Sequence, residues 1–218
     1  MKWLSETIEF PPLTEATPEG LLAVGGDLSP ERVLYAYQNG IFPWYDSYQP
    51  ILWWTPDPRF VLYPHKLKVS KSTKQILKNQ SFEITINRNF RDVIKACANV
   101  KRKTQLGTWI TEEMIKTYCE LHQQGNAKSV EVWQNKKLVG GLYGIELDDT
   151  IFCGESMFSY VSNASKIGFI SFVQNSNYKI IDCQLHTNYL ESLGAESISR
   201  TKFMKYLKTP NQNINNRH

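Results

Sequence analysis

Three short segments in a row, SVEVW (129–133), KLVGGLYGIEL (137–147) and TIFCGESMF (150–158), are rich in β-branched and aromatic residues. Only the turns QNK and DD separate them. Links that short allow only antiparallel neighbours, because a parallel return needs a crossover of a dozen or more residues. NASKIGFISFVQNS (163–176) then reads as a helix and YKIIDCQLHT (178–187) as a strand. NYLESLGAESISRTKFMKYLK (188–208) holds a last helix, with room for a strand. Strands in a meander, then helix, strand and helix, define an α+β domain.

Upstream, SKSTKQILKN (70–79) reads as a short basic helix, FEITIN (82–87) as a half-buried strand and RNFRDVIKACANV (88–100) as a helix. KRKTQLG (101–107) is a basic loop. Thr111 is placed to cap TEEMIKTYCELHQQG, with Glu112 and Glu113 in the first turn and Gly125 past the last. The first 64 residues are different, being full of turns and aromatics. Ser29 stands as an N-cap before Pro30, Gly40 closes that helix, and Val33, Leu34 and Tyr37 share one of its faces. ILWW and RFVLY read as short strands around Pro-Asp-Pro. The expected organisation is a small N-terminal α/β lobe over 1–64 and a larger domain over 65–218, ending in a polar tail.

Charge is distributed unevenly. Residues 1–64 carry three Lys/Arg and eight Asp/Glu, whereas 65–103 carry eleven Lys/Arg and only Glu83 and Asp92. A basic block inside a folded chain is the footprint expected for a polyanion, although a solvated Lys-rich face has the same composition. MKWLSETIEFPPL contains no continuous apolar run, so no signal peptide is expected, and no segment reaches the roughly 18 apolar residues of a membrane span. Cys97, Cys119, Cys153 and Cys183 form no CxxC pair and read as free thiols in a reducing compartment. The four His are scattered, so no metal site is expected.

Within TIFCGESMFS, Glu155 is a lone acid among apolar residues. Such a carboxylate either points to water at a strand end or waits for a cation or several donors. Asp182 and Gln184 alternate along IIDCQ, which predicts that they project from one face of a strand next to the one carrying Glu155.

The order of elements is compatible with an acyltransferase fold of the GNAT kind. Acetyl-CoA users of that fold follow their central strand with a Gly-rich turn that holds pyrophosphate at a helix N-terminus, and SNASKIG lacks its spacing. No cofactor is expected. Taken together, LLAVGGDLSPERVLYAYQNGIFPW, ILWWTPDPRFVL, GTWIT, SVEVW…LVGGLYG, FCGESMFS…NASK, IIDCQ and SLGAE resemble the leucyl/phenylalanyl-tRNA–protein transferases, in family order over about residues 10–207. The resemblance implies a bacterial cytoplasmic enzyme with a GNAT-like C-terminal domain. It implies transfer of Leu or Phe, and Met less well, from aminoacyl-tRNA onto proteins that begin with Arg or Lys, marking them for N-end rule degradation. A monomer is expected.

The same resemblance implies roles for particular residues. Trp44 and Trp109 would stack on the terminal adenosine of the tRNA, and Leu142, Met157, Phe169, Phe172 and Ile181 would line or adjoin the aminoacyl pocket. Asp182 would bond that adenosine and polarise Gln184. Gln184 would orient the attacking amine, and Glu155 would meet the cationic acceptor N-terminus. Lys71, Lys74, Lys78, Arg88, Arg91, Lys101, Arg102 and Lys103 would follow the tRNA backbone, with Arg200, Lys202, Lys205 and Lys208 beside them. Trp53 and Trp54 are expected between the lobes, and Cys153 and Cys183 as buried apolar residues rather than nucleophiles. Two positions depart from the family pattern: Tyr189, where many relatives have His, and Ser176, at a helix end where an aromatic can occur. The alternatives are another tRNA-dependent or GNAT-type aminoacyltransferase, such as one acting on peptidoglycan precursors, and a non-catalytic RNA-binding module.

Overall fold

In the computed structural model, residues 2–79, 81–100 and 109–208 are described; Lys101, Arg102 and Lys103 of the basic loop and the polar tail lie outside them. Two sheets organise the chain. The first is built from β1 (Lys2–Leu4), β2 (Leu21–Gly25), β3 (Phe42–Pro43) and β4 (Leu52–Trp54), in the order β1-β2-β4-β3, with helix α1 (Pro30–Gln38) between β2 and β3. The second has seven strands. They come from β5 (Arg59–Leu62), β6 (Glu83–Ile86), β7 (Ala127–Gln134), β8 (Lys137–Leu147), β9 (Ile151–Ser159), β10 (Ile180–Gln184) and β11 (Glu196–Ile198), in the order β11-β5-β10-β9-β8-β7-β6. Helices α2 (Lys71–Lys78), α3 (Phe90–Asn99), α4 (Glu112–Gln123), α5 (Ala164–Gln174), α6 (Asn188–Ser192) and α7 (Arg200–Leu207) complete the chain.

The meander read from the sequence is present, with β7, β8 and β9 antiparallel in register. α5 carries the chain across to β10, which runs parallel to β9. Seven residues of α5 are buried. Gly168 lets the helix sit close to the sheet, since a Cβ there would lie 2.5 Å from Val132 Cγ2. Caps form where short polar side chains precede a helix: Ser70, Thr111 and Ser199 accept from the backbone N–H three residues on. Ser29 differs. It occupies the N-cap position of α1 but makes no side-chain cap; its own N–H instead donates to Asp27 Oδ1 at 2.8 Å.

Three features differ from the sequence reading. LLAVG is a strand, β2, because a register with β4 buries Leu22, Ala23 and Val24. NYLESLGAESISRTKFMKYLK holds the strand that the sequence left room for, β11, but with a helix on each side of it, α6 and α7, rather than one helix. RFVL, read as part of the first lobe, pairs with β10 and β11 inside the large sheet, so a boundary at residue 64 leaves one strand of that sheet with the first lobe. One core runs through both lobes and joins Val33, Ala36, Tyr37 and Trp53 to Met114, Ile115 and Tyr118. Trp53 is fully buried there and donates its indole N–H to Gly25 O at 2.8 Å, while Trp54 donates to Trp44 O at 2.6 Å.

Candidate active site

The site forms where two parallel strands part. β9 and β10 pair only from Ile151 to Cys153 and from Ile180 to Asp182. Past that point β9 continues beside β8 alone, while β10 is broken by a bulge between Asp182 and Gln184, with Gln184 at φ 62. The bulge inserts an extra residue, so the alternation expected to put Asp182 and Gln184 on one face does not hold.

Two cavities open at the parting. One, of about 360 Å³, is largely apolar and is lined by Leu142, Phe152, Met157, Phe169, Ile181 and Tyr189 among others. The second, of about 180 Å³, is walled by Phe42, Pro43, Trp44 and Trp109. Glu155, Gln184 and Leu185 line both, so this trio is the partition between them. Trp44 is partly exposed at 37% and Trp109 is buried at 8%.

Glu155 is half-buried and held by neutral donors. Gln184 Nε2 donates to Oε1 at 2.6 Å, and Tyr118 donates its hydroxyl to Oε2 at 3.2 Å. Tyr118 in turn shares a 2.7 Å hydrogen bond with Tyr37 of α1. Among the described residues no Lys or Arg forms an ion pair with Glu155. Burial pushes its carboxyl up to about 7, against the downward pull of hydrogen bonds from Tyr37, Tyr118 and Gln184. The two tyrosines are pushed well above their ordinary range, first by burial and then by the Glu155 charge.

Asp182 has the opposite environment. It is fully buried, and both carboxylate oxygens meet the guanidinium of Arg59, at 2.8 Å from Nε and 2.6 Å from Nη2. Oδ1 also accepts the Gln184 backbone N–H at 2.9 Å. Asp182 also lines the larger cavity, with its carboxylate held by Arg59 and by the Gln184 main chain. Its hold on Gln184 is through the backbone rather than the carboxamide.

Phe172 adjoins the apolar cavity. It does not line the apolar cavity but packs behind it, edge-on to Phe152 at 4.8 Å and against Tyr178. Three residues on a helix turn a side chain through about 300°, enough to move Phe172 off the wall that Phe169 occupies. Trp44, Trp109, Leu142, Met157, Phe169, Ile181, Glu155 and Gln184 all reach one or both cavities. Lys71, Lys74 and Lys78 are exposed along α2, and Arg88 and Arg91 are exposed at the start of α3. Arg88 also meets Glu83 at 3.4 Å. Burial pushes the thiols of Cys153 and Cys183 upward, away from the thiolate that a nucleophile needs.

Sequence reasoning missed Arg59, Tyr118 and the site role of Tyr37. A signal existed for Arg59. The acidic first 64 residues contain only Lys2, Arg32 and Arg59 as cations, and both arginines are buried. Tyr189 lines the apolar cavity, and its hydroxyl has no hydrogen-bond partner among the described residues.

An apolar cavity and an aromatic one, divided by an ionisable carboxyl and a carboxamide, form an arrangement suited to holding two groups side by side, as a group-transfer enzyme requires. The family model described as leucyl/phenylalanyl-tRNA protein transferase matches residues 61–208, and the model of that family's N-terminal domain matches 26–57. The chain is 55% identical over 212 residues to the leucyl/phenylalanyl-tRNA–protein transferase of Flavobacterium johnsoniae, covering 96% of this chain and all of that one. It is 54% identical over 211 residues to that of Christiangramia forsetii, covering 95% and all of it, and 53% identical over 214 residues to that of Pseudomonas aeruginosa, covering 95% and 94%. The chain belongs to the leucyl/phenylalanyl-tRNA–protein transferase family, and it is an aminoacyltransferase. A solved GCN5-related N-acetyltransferase from Kribbella flavida matches at 10% identity and TM-score 0.40, over 75% of this chain and 58% of that one, a likeness too slight to carry weight.

Proposed function

We propose that this enzyme moves Leu and Phe, and Met less well, from aminoacyl-tRNA to the α-amine of proteins beginning with Arg or Lys, the mark for N-end rule degradation. The observation that carries the mechanism is the shared wall: Glu155 and Gln184 stand between a cavity suited to an apolar side chain and one suited to a purine. In this reading the aminoacyl side chain fills the space beside Leu142, Met157, Phe169 and Ile181. The adenine lies in the cavity walled by Trp44 and Trp109, where stacking of a base on an aromatic is worth about 1–3 kcal/mol. The ester carbonyl then falls at the partition.

The acceptor arrives as a cation, and Glu155 is a carboxylate that lacks one. An α-ammonium has a reference pKa of about 7.7–8, close to the value of about 7 for Glu155, so a proton passes between them at little cost. Because Gln184 Nε2 is engaged by Glu155, the carboxamide oxygen is left to accept from the amine and aim it. The amine nitrogen bonds to the carbonyl carbon, the bond to the ribose oxygen breaks, and that oxygen leaves with a proton. No covalent enzyme intermediate is needed, since the ester is already activated and the protein has only to align it and exclude water.

Exposed Lys71, Lys74, Lys78, Arg88 and Arg91 supply backbone contacts that tolerate many tRNA sequences. The large sheet with its crossover helix α5 is read as a GNAT-like domain, supported by the strand order β10-β9-β8-β7-β6 with one parallel pair. In the same reading the enzyme is a cytoplasmic monomer. Among the described residues no helix is long and apolar enough to cross a membrane.

The test is transfer of radiolabelled Leu from Leu-tRNA to two proteins that differ only in beginning with Arg or Ala. Label on the Arg-starting protein alone, abolished by RNase pretreatment of the tRNA, is the expected result. Tight binding of charged tRNA without transfer to either protein would overturn the reading.

A further inference from the structure

Arg59, a buried cation, lies outside the mechanism above. It opens β5 and is 1% exposed, and each of its three guanidinium nitrogens donates a hydrogen bond. Nε and Nη2 hold the two oxygens of Asp182, and Nη1 donates to Gly40 O at 3.2 Å. The group sits over the rings of Phe42 and Phe203, 4.8 Å from each centroid. These contacts come from four places: the turn after α1, strand β3, strand β10 and helix α7. Gly40 has φ 72, and a Cβ there would meet Met204 Sδ at 2.7 Å, so α7 closes directly on that turn.

Stability alone does not explain such a residue. A buried ion pair is on balance no better than apolar side chains of the same volume, because desolvation offsets its attraction; what it supplies is a fixed geometry. The geometry fixed here reaches the reactive junction. Asp182 Oδ1, one prong of the pair, also accepts the N–H of Gln184, whose left-handed backbone at φ 62 is unfavourable for a residue with a Cβ and needs that bond to persist. The side chain of Gln184 then reaches Glu155. At its other end the guanidinium grips Phe42 and Gly40, on the segment that leads to Trp44 and the aromatic cavity.

We propose that Arg59 is a positioning residue for the transfer reaction: through Asp182 it holds Gln184 in the bulged conformation that aims its carboxamide, and it locks that placement to the N-terminal lobe. The proposal rests on the reading of Gln184 as the group that orients the acceptor amine. A lysine could keep the charge but not the two parallel hydrogen bonds.

The experiment measures kcat and the KM of each substrate for Arg59→Met and Arg59→Lys, each in the wild-type and in the Gln184→Ala background, with urea unfolding recorded for all. A misplacement of about 1 Å costs about 100-fold in rate, and that is the loss in kcat expected when Gln184 is present. With Gln184→Ala the further loss from changing Arg59 should shrink to about threefold or less, because the group being positioned is gone. KM for aminoacyl-tRNA should stay nearly constant throughout. Equal losses in both backgrounds, or a rise in KM at unchanged kcat, would show that Arg59 only holds the lobes together and would overturn the proposal. If Gln184→Ala alone leaves kcat intact, the reading of Gln184 falls, and the proposal falls with it. Should Arg59→Met fail to fold, Arg59→Lys carries the same comparison, and full activity in that variant would also overturn it.

Discussion

Asp182 and Glu155 lie on neighbouring strands, one at the last paired position of β9 and β10 and the other just past it, yet their surroundings are opposite. Where the strands still pair, the carboxylate is dry and meets a guanidinium from within the chain. Where they have parted, the carboxyl is half-buried between two cavities and meets only hydroxyl and amide donors. A carboxylate whose cation is built in fixes geometry. One with no cation among the described residues, and a carboxyl raised to about 7, is the group proposed above to meet a charged substrate and exchange a proton with it. On the reading proposed above, a change in strand pairing over two residues separates an acid that fixes geometry from one that meets the substrate.

The strongest way to break this comparison is to remove the built-in pair. Asp182→Ala leaves a guanidinium buried without its counterion and should destabilise the protein by about 3–5 kcal/mol in urea unfolding. A loss well below that would mean water or another group takes the place of Asp182.

Next comes Glu155→Gln, which keeps the shape but removes the charge. Transfer to an Arg-starting protein should fall by about 10²-fold or more, the range for loss of a general base, while aminoacyl-tRNA affinity changes little. The wild-type rate should rise with pH through about 7, as Glu155 loses its proton, and the variant should lack that inflection. A large defect in tRNA binding would sink the assignment. Stability offers a check that does not depend on turnover. With the folded carboxyl raised above its ordinary value of 4.5, the native state holds more protons than the unfolded chain between about 4.5 and 7. Wild-type stability should therefore decline as pH rises across that window, and Glu155→Gln should flatten the decline.

Trp44→Ala should weaken aminoacyl-tRNA binding by about 1–3 kcal/mol, measured by fluorescence anisotropy. Trp44 is a cleaner probe than the more deeply buried Trp109, whose loss would also open a cavity. The smallest effect is expected at the exposed Lys74. Changing it to Gln should weaken binding slightly for every tRNA and lower the salt dependence by about one ion. An unchanged salt slope would remove α2 from the tRNA path.

Much of the scaffold was legible because its signals are local. The β7–β8–β9 meander follows from turns too short for any other return, and α4 begins at Thr111 because a hydroxyl there reaches the Met114 N–H. Ser29 shows the limit, since it stands at the N-cap position of α1 yet its side chain makes no capping hydrogen bond. The site was legible in its members but less in its wiring. Glu155 stood out as an acid among apolar residues, and the tryptophans, Asp182 and Gln184 came from motif resemblance. Helical spacing alone did not say that Phe169 would line the cavity while Phe172 packs behind it.

By itself the sequence determined most elements of the larger domain, their order and the family, because periodicity, caps and motifs act over a few residues. Only tertiary structure decided which carboxylate keeps its own cation. Arg59 and Asp182 are 123 positions apart and meet through the antiparallel register of β5 with β10. At the bulge that turns Gln184 toward Glu155, Asp182, held in that register, accepts the Gln184 N–H. Long-range pairing sets these distances, and no window of sequence contains both partners.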